Sequence, residues 1–127
     1  APVCAPHLGC PGTATEMLDA GLLHDTDASG WRAWFDATGE PEVVVAAGPV
    51  FEDFNLLRAA ALAGQGVALC ALAIIADDLR EKRLVQLSDQ LIRAEYGYYI
   101  VTRRTPGGPA GAVGRFRAWL LSTAPTP

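Results

Sequence analysis

Apolar residues along this chain fall into short continuous runs and into spacings of three and four, and the two patterns alternate. Pro2-Val3-Cys4-Ala5 is a short apolar segment beside prolines, which suits the start or edge of a sheet. Thr15 to Ala20 predicts a brief helix, with Thr13 or Thr15 as its cap and Gly21 as its stop. Leu22-Leu23-His24 predicts a strand. Asp25-Thr26-Asp27-Ala28-Ser29-Gly30 then reads as a turn, from which Asp27 or Ser29 can cap the next helix. Trp31, Trp34 and Phe35 stand at i, i+3 and i+4, one face of that helix, which Gly39-Glu40-Pro41 ends.

Val43-Val44-Val45 is β-branched and predicts a strand, and Val50-Phe51 predicts another. The next helix places Leu56, Leu57, Ala60 and Ala61 on one face and stops at Gly64. After the Gly64-Gln65-Gly66 turn comes Val67-Ala68-Leu69-Cys70, a run that suits a strand buried on both faces. A helical turn or two spans Ile74 to Arg80, and Leu84-Val85-Gln86-Leu87 comes next as a strand. Tyr96 to Thr102 is aromatic and β-branched, hence strand-like. Thr105 to Gly111 is a Pro/Gly linker, and Val113, Phe116 and Leu120, with Trp119 beside them, mark a last helix. Strands alternating with helices predict an α/β fold with an open, largely parallel sheet flanked by helices.

At 127 residues, half of them hydrophobic and 19% charged, the chain is one domain's worth and can build a core. The net charge is −4, and Lys82 is the one lysine among ten basic residues. An acidic surface with scattered arginines is a poor partner for phosphate backbones. The uncharged run from Ala59 to Ala76 nears the length of a membrane span, but Gly64-Gln65-Gly66 divides it, so no membrane contact is expected. Three cysteines, Cys4, Cys10 and Cys70, do not make a disulfide framework and point to a reducing, cytoplasmic setting. The N-terminus has no signal-peptide pattern. With no Met at its start, the chain is expected to be an excised fragment.

The segments from Gly48 onward carry more than periodicity. Ala61-x-x-Gly64-x-Gly66-Val67-Ala68-Leu69 lies at the end of the main helix. Asp78-Leu79 and then Arg83-Leu84-Val85 come next, followed by Tyr98-Tyr99-Ile100-Val101, and Phe116-x-x-Trp119-Leu120 closes the series. This order and spacing resemble the C-terminal part of the effector-binding domain of LysR-type transcriptional regulators. The N-terminal strand, Leu22-Leu23-His24 and Trp31-x-x-Trp34 are similar to the branch of glycine-cleavage and β-lactamase-induction regulators. The resemblance extends from about Pro2 to Ser122.

The resemblance implies the second lobe of a type-II periplasmic-binding-protein-like domain over residues 1–100. Residues 101–127 would then be a linker and a helix belonging to the first lobe. It also implies a small-molecule effector in a cleft between lobes and a homo-oligomer. DNA would be bound only through an N-terminal winged helix-turn-helix, and nothing in these residues reads as one. The last helix is expected to lay its apolar face on this lobe or on another copy, with exchange through the linker as one route. A periplasmic solute-binding lobe is the alternative of similar architecture.

By the resemblance, the effector would meet the segment before the Leu56 helix, Phe51-Glu52-Asp53-Phe54-Asn55, where first-turn N–H groups point outward. Phe51, Asp53, Phe54 and Asn55 are the candidates. The competing reading makes Asp53 a plain helix cap, with Phe51 and Phe54 in the core. Tyr98 and Tyr99 point to opposite faces of their strand, and Tyr99 aligns better with the cleft. Cys4-x-x-His7-x-x-Cys10 has metal-like spacing, but only His24 or Cys70 could supply a fourth ligand, so no metal or other cofactor is expected. Gly64-Gln65-Gly66 lacks the third glycine of a dinucleotide fingerprint and precedes a strand. Asp77-Asp78 and Arg103-Arg104 read as solvated charges. No nucleophile, base and oxyanion donor occur in a recognisable set, so no enzyme activity is expected.

Overall fold

The computed structural model describes residues 1–93, 99–102 and 111–123. The chain divides into two units, Ala1–Ala94 and Glu95–Pro127. The first unit holds five strands: β1 (Pro2–Cys4), β2 (Leu22–Asp25), β3 (Val50–Phe51), β4 (Val67–Leu69) and β5 (Val85–Gln86). Its helices are α1 (Ala14–Ala20), α2 (Ser29–Ala37), α3 (Phe54–Leu62) and α4 (Ala76–Arg80). The second unit contains α5 (Ala112–Thr123), on which Phe116 and Trp119 stack at 5.8 Å between centroids. In the same helix the Ser122 and Thr123 hydroxyls donate to the Trp119 carbonyl. Tyr96, Tyr98, Arg103, Arg104 and most of the Thr105–Gly111 linker lie outside the described residues.

The sheet order is β3-β2-β4-β1-β5. β2 runs parallel to β3 and β4, while β1 pairs antiparallel with both β4 and β5. Four strands therefore share one direction and β1 opposes them. The sheet is mixed, as an α/β sheet with one reversed strand is.

Successive strand residues face opposite sides, and the two cores obey that rule. Val3, Leu23 and Ala68 join Leu57, Ala60, Ala61, Cys70, Ile75 and Leu84 on the α3–α4 face. Cys4, Leu22 and Val67 join Met17, Trp31, Trp34 and Phe35 on the α1–α2 face. Trp31 Nε1 donates to the Leu23 carbonyl at 2.9 Å and Trp34 Nε1 to the Gln90 carbonyl at 3.1 Å, so both indoles are satisfied where they are buried.

The helix boundaries have local causes. Thr13 and Glu16 form a reciprocal capping box at the start of α1, and Gly21 ends it at φ 86°. Asp27 Oδ1 accepts from the Ser29 N–H at 2.7 Å ahead of α2. The uncharged run from Ala59 is split among the end of α3, the Gly64 turn and β4. Among the described residues no helix is long and apolar enough to cross a membrane.

Four sequence expectations change. Val43–Val45 is not a strand: the position beside β2 is taken by a later segment, where the His24 N–H donates to the Pro49 carbonyl at 2.9 Å. Val43 and Val45 still alternate inward against the aromatic core, and Val44 is 85% exposed. Leu56 is 60% exposed instead of sharing the buried face of Leu57, Ala60 and Ala61. Because α3 starts at Phe54, Leu56 sits in its first turn, off the buried stripe. Residues 99–102 are not in a strand, because alternation assigns directions to side chains without supplying the neighbour that a ladder requires.

Asp78 is the fourth correction. It is fully buried, not solvated. Arg58 reaches it from α3 with Nε and Nη2, the latter at 2.8 Å, and Arg83 with Nε at 2.9 Å and Nη2 at 2.6 Å. The two guanidiniums satisfy the carboxylate that burial would otherwise penalise. Asp77, beside it in sequence, is exposed and paired with Arg80.

Candidate functional site

The parallel strands end together at one rim. Asp25, the last residue of β2, lies in register with Phe51, the last of β3. The Thr26 N–H donates to the Phe51 carbonyl at 3.1 Å, and the Asp27 N–H to the Asp25 carbonyl at 2.8 Å. Thr26 holds φ 68° in that turn, a left-handed conformation uncommon for a β-branched residue. From Phe51 the chain passes through Glu52 and Asp53 directly into α3.

Asp53 caps α3: its Oδ1 accepts from the N–H of Asn55 at 2.7 Å and of Leu56 at 3.3 Å. Those two donors would otherwise face an incoming anion. Phe51 and Phe54 are half-buried and pack against the α3–α4 core, so each has one face in the protein. Asp53 and Asn55 are exposed. The structure thus brings Phe51, Asp53, Phe54 and Asn55 together in one corner, where Asp53 caps the helix and is exposed at the rim. Tyr99 belongs to the second unit.

Sequence reasoning passed over Asp25 and Thr26, which it read as turn chemistry. Their place beside Phe51 comes from the parallel pairing of β2 and β3. Asp25, Glu52 and Asp53 leave three exposed carboxylates at the rim, and among the described residues none of them takes part in an ion pair. Asp27, one turn away, feels Arg32 and Arg93, and its carboxyl is held below its ordinary range chiefly by bonds from Ser29.

Two surface clefts lie elsewhere. One of about 440 Å³ is lined by Leu8, Gly9, Cys10, Pro11 and α1 residues, and one of about 250 Å³ lies between α2 and Pro41–Val45. Among the described residues no group of three His, Cys, Asp or Glu side chains could hold a metal.

Comparison with known proteins places this arrangement. A family model described as the LysR substrate binding domain matches residues 2–125. The chain is 28% identical to the glycine cleavage system transcriptional activator of Escherichia coli K12, over 97% of this chain and 41% of that protein. It spans about two fifths of the length of the curated relatives it matches. The effector binding domain of AmpR from Citrobacter freundii superposes with a TM-score of 0.62 at 28% identity, over 72% of this chain and 47% of that one. The effector domain of AmpR from Pseudomonas aeruginosa superposes with a TM-score of 0.70 over 98% and 60%, at 23% identity, a likeness of fold.

Proposed function

The chain belongs to the LysR substrate-binding-domain family, which serves transcription regulation and not catalysis, and from that premise we propose that it is the second lobe of an effector sensor. The carrying observation is the rim where Asp25, Phe51 and the Asp53-capped start of α3 meet at the carboxyl ends of parallel strands. Open α/β sheets bind ligands at that end. Phe51, Asp53, Phe54 and Asn55 form the wall of the site on this lobe, and Tyr99 is the further effector residue that the family resemblance implies. Residues 101–127 return to the first lobe, where the Val113, Phe116, Trp119 and Leu120 face of α5 packs, or it packs on another copy. DNA contact falls to an N-terminal winged helix-turn-helix in a homo-oligomeric, cytoplasmic regulator. The effector controls it by binding one arrangement of lobes more tightly than another.

The chemistry of the rim narrows the effector. The Asn55 and Leu56 N–H groups are already occupied by Asp53, and the exposed carboxylates of Asp25, Glu52 and Asp53 repel anions. A ligand carrying an amine or several hydroxyls fits; a simple dicarboxylate does not. Calorimetry with an amino sugar and with succinate tests this reading. Amino-sugar binding weakened at least tenfold in Asp53→Asn, which keeps the cap and drops the charge, is the expected result. Tight succinate binding unchanged in Asp53→Ala would overturn it.

A further inference from the structure

β3 is two residues long, so its own ladder does little to hold its register. A slip by one residue would turn Phe51 away from the α3–α4 core and out of line with Asp25. The chain ahead of it, from Val43 to Pro49, is in no strand that could fix it. Two bonds from one residue of β2 do so instead. The His24 N–H donates to the Pro49 carbonyl at 2.9 Å, and the His24 ring reaches three residues further back, to the Ala46 carbonyl, 3.1 Å from Nε2. Gly48 lies between these two anchors. A Cβ there would collide with the Leu22 carbonyl oxygen and press on Cδ2 and Nε2 of the His24 ring, 3.2 Å away. Gly48 is not left-handed, so glycine serves the close approach and not a turn.

His24 is 2% exposed, and alternation along β2 puts its ring on the same side as Leu22 and the aromatic core. A carbonyl only accepts, so Nε2 carries the hydrogen that bonds Ala46. Nδ1 is buried and has no hydrogen-bond partner among the described residues. An unpaired buried polar atom costs stability, and an apolar side chain of similar volume would fill the place without that cost. Packing alone therefore does not account for a histidine here; the directed bond to Ala46 does.

We infer that His24 is a positioning residue for the corner where Asp25 and Phe51 meet: its Nε2–H latches the Ala46–Pro49 strap to β2 and so sets the β2–β3 register. That this corner meets an effector rests on the function proposed above; the latch itself does not. With the latch closed, Val50 stands beside His24 and Phe51 beside Asp25, and the Thr26 N–H donates to the Phe51 carbonyl at 3.1 Å. With it open, that last bond is lost, while the pairing of β2 with β4 persists, next to which the Val67 N–H donates to the Gly21 carbonyl at 2.8 Å.

Nitrogen-15 NMR and hydrogen exchange on the full chain test this. In the unaltered chain the His24 ring is expected as the Nε2–H tautomer. That proton should be protected from solvent as well as the Thr26 amide, within about threefold, and less well than the Val67 amide. His24→Leu keeps the bulk and drops the donor; it should lower Thr26 protection about tenfold or more and leave Val67 unchanged. His24→Gln, whose amide nitrogen takes the place of Nε2, should restore most of the protection. An Nδ1–H tautomer, equal loss at Val67 and Thr26, unchanged protection in His24→Leu, or a His24→Gln chain no better than His24→Leu would each overturn the inference. The tautomer and the matched protection in the unaltered chain decide the matter even if His24→Leu does not fold. No ligand is added, so failure of the latch is distinct from failure of the amino-sugar calorimetry, which bears on the effector.

Discussion

The two faces of the sheet are built from different materials. On one, Trp31, Trp34 and Phe35 lie against each other at centroid distances of 5.2 to 6.0 Å and fill the space with aromatic rings. On the other, Ala60, Ala61 and Ala68 let α3 approach the sheet, and the Arg58–Asp78–Arg83 cluster ties α3 to α4 and to the lead into β5. Large rings contribute by the area they remove from water. A buried ion cluster contributes little net stability, because desolvation offsets its attraction. Its geometry is directional, however, and it fixes where α3 lies. The lesson is a division of labour in which the aromatic face stabilises the lobe and the ionic face aims the start of α3 at the rim.

Substitutions can break that comparison or sharpen it. The largest effect is expected from Trp31→Ala, which empties a buried ring site and removes the indole's bond to the Leu23 carbonyl; it should cost about 3–5 kcal/mol in urea denaturation. Asp78→Asn comes next, at about 2–3 kcal/mol. That lies below the usual cost of breaking a buried pair, because Arg58 and Arg83 are partly exposed and can turn to water. The same variant should flatten the acid limb of stability. Bonds from Arg58, then Arg83, hold the Asp78 carboxyl below its ordinary value near 3.8. Its contribution is therefore complete above that value and lost as pH falls beneath it. Urea midpoints measured from pH 5 down to pH 3 check this, and Trp31→Ala should leave the slope of that limb unchanged.

Ala61→Leu overfills the small-residue face and should cost about 2 kcal/mol. It should also weaken effector binding by displacing α3, which calorimetry would register. The smallest effect belongs to Asp53→Ala, about 1 kcal/mol for a lost cap, while Asp53→Asn stays near wild-type stability. An Ala61→Leu variant that bound effector normally would remove the aiming role from the ionic face.

Local features of this architecture were readable in the sequence, and distant pairings were not. The Thr13 cap, the Asp53 cap and the Gly64 stop depend on residues within one turn of each other, so composition and spacing reveal them. Leu22–His24 and Val67–Leu69 announce themselves as apolar runs. By contrast, Val43–Val45 has a strand's alternation and no ladder, because Pro49 and its neighbours reach β2 instead. Asp78 looked like its neighbour Asp77, and the arginine that most distinguishes them, Arg58, lies on another helix. The reversed direction of β1 is written in no local pattern. At the site, the order and spacing of the segments led to the right family, and the Phe51–Asn55 candidates rest on that resemblance. The place of Asp25 beside Phe51 was not legible, because a long connection separates the two in sequence.

β1 sits between β4 and β5, so the strand that leaves the ribosome first in this stretch is hydrogen-bonded to two of the last. Val3 must wait, unpaired and apolar, until Ala68 and Gln86 have been synthesised. Such long-range closure is slow, which makes this short segment the one most in need of shelter during biogenesis. Pulsed hydrogen exchange during refolding should find the Val3 amide protected in the same late phase as those of β4 and β5.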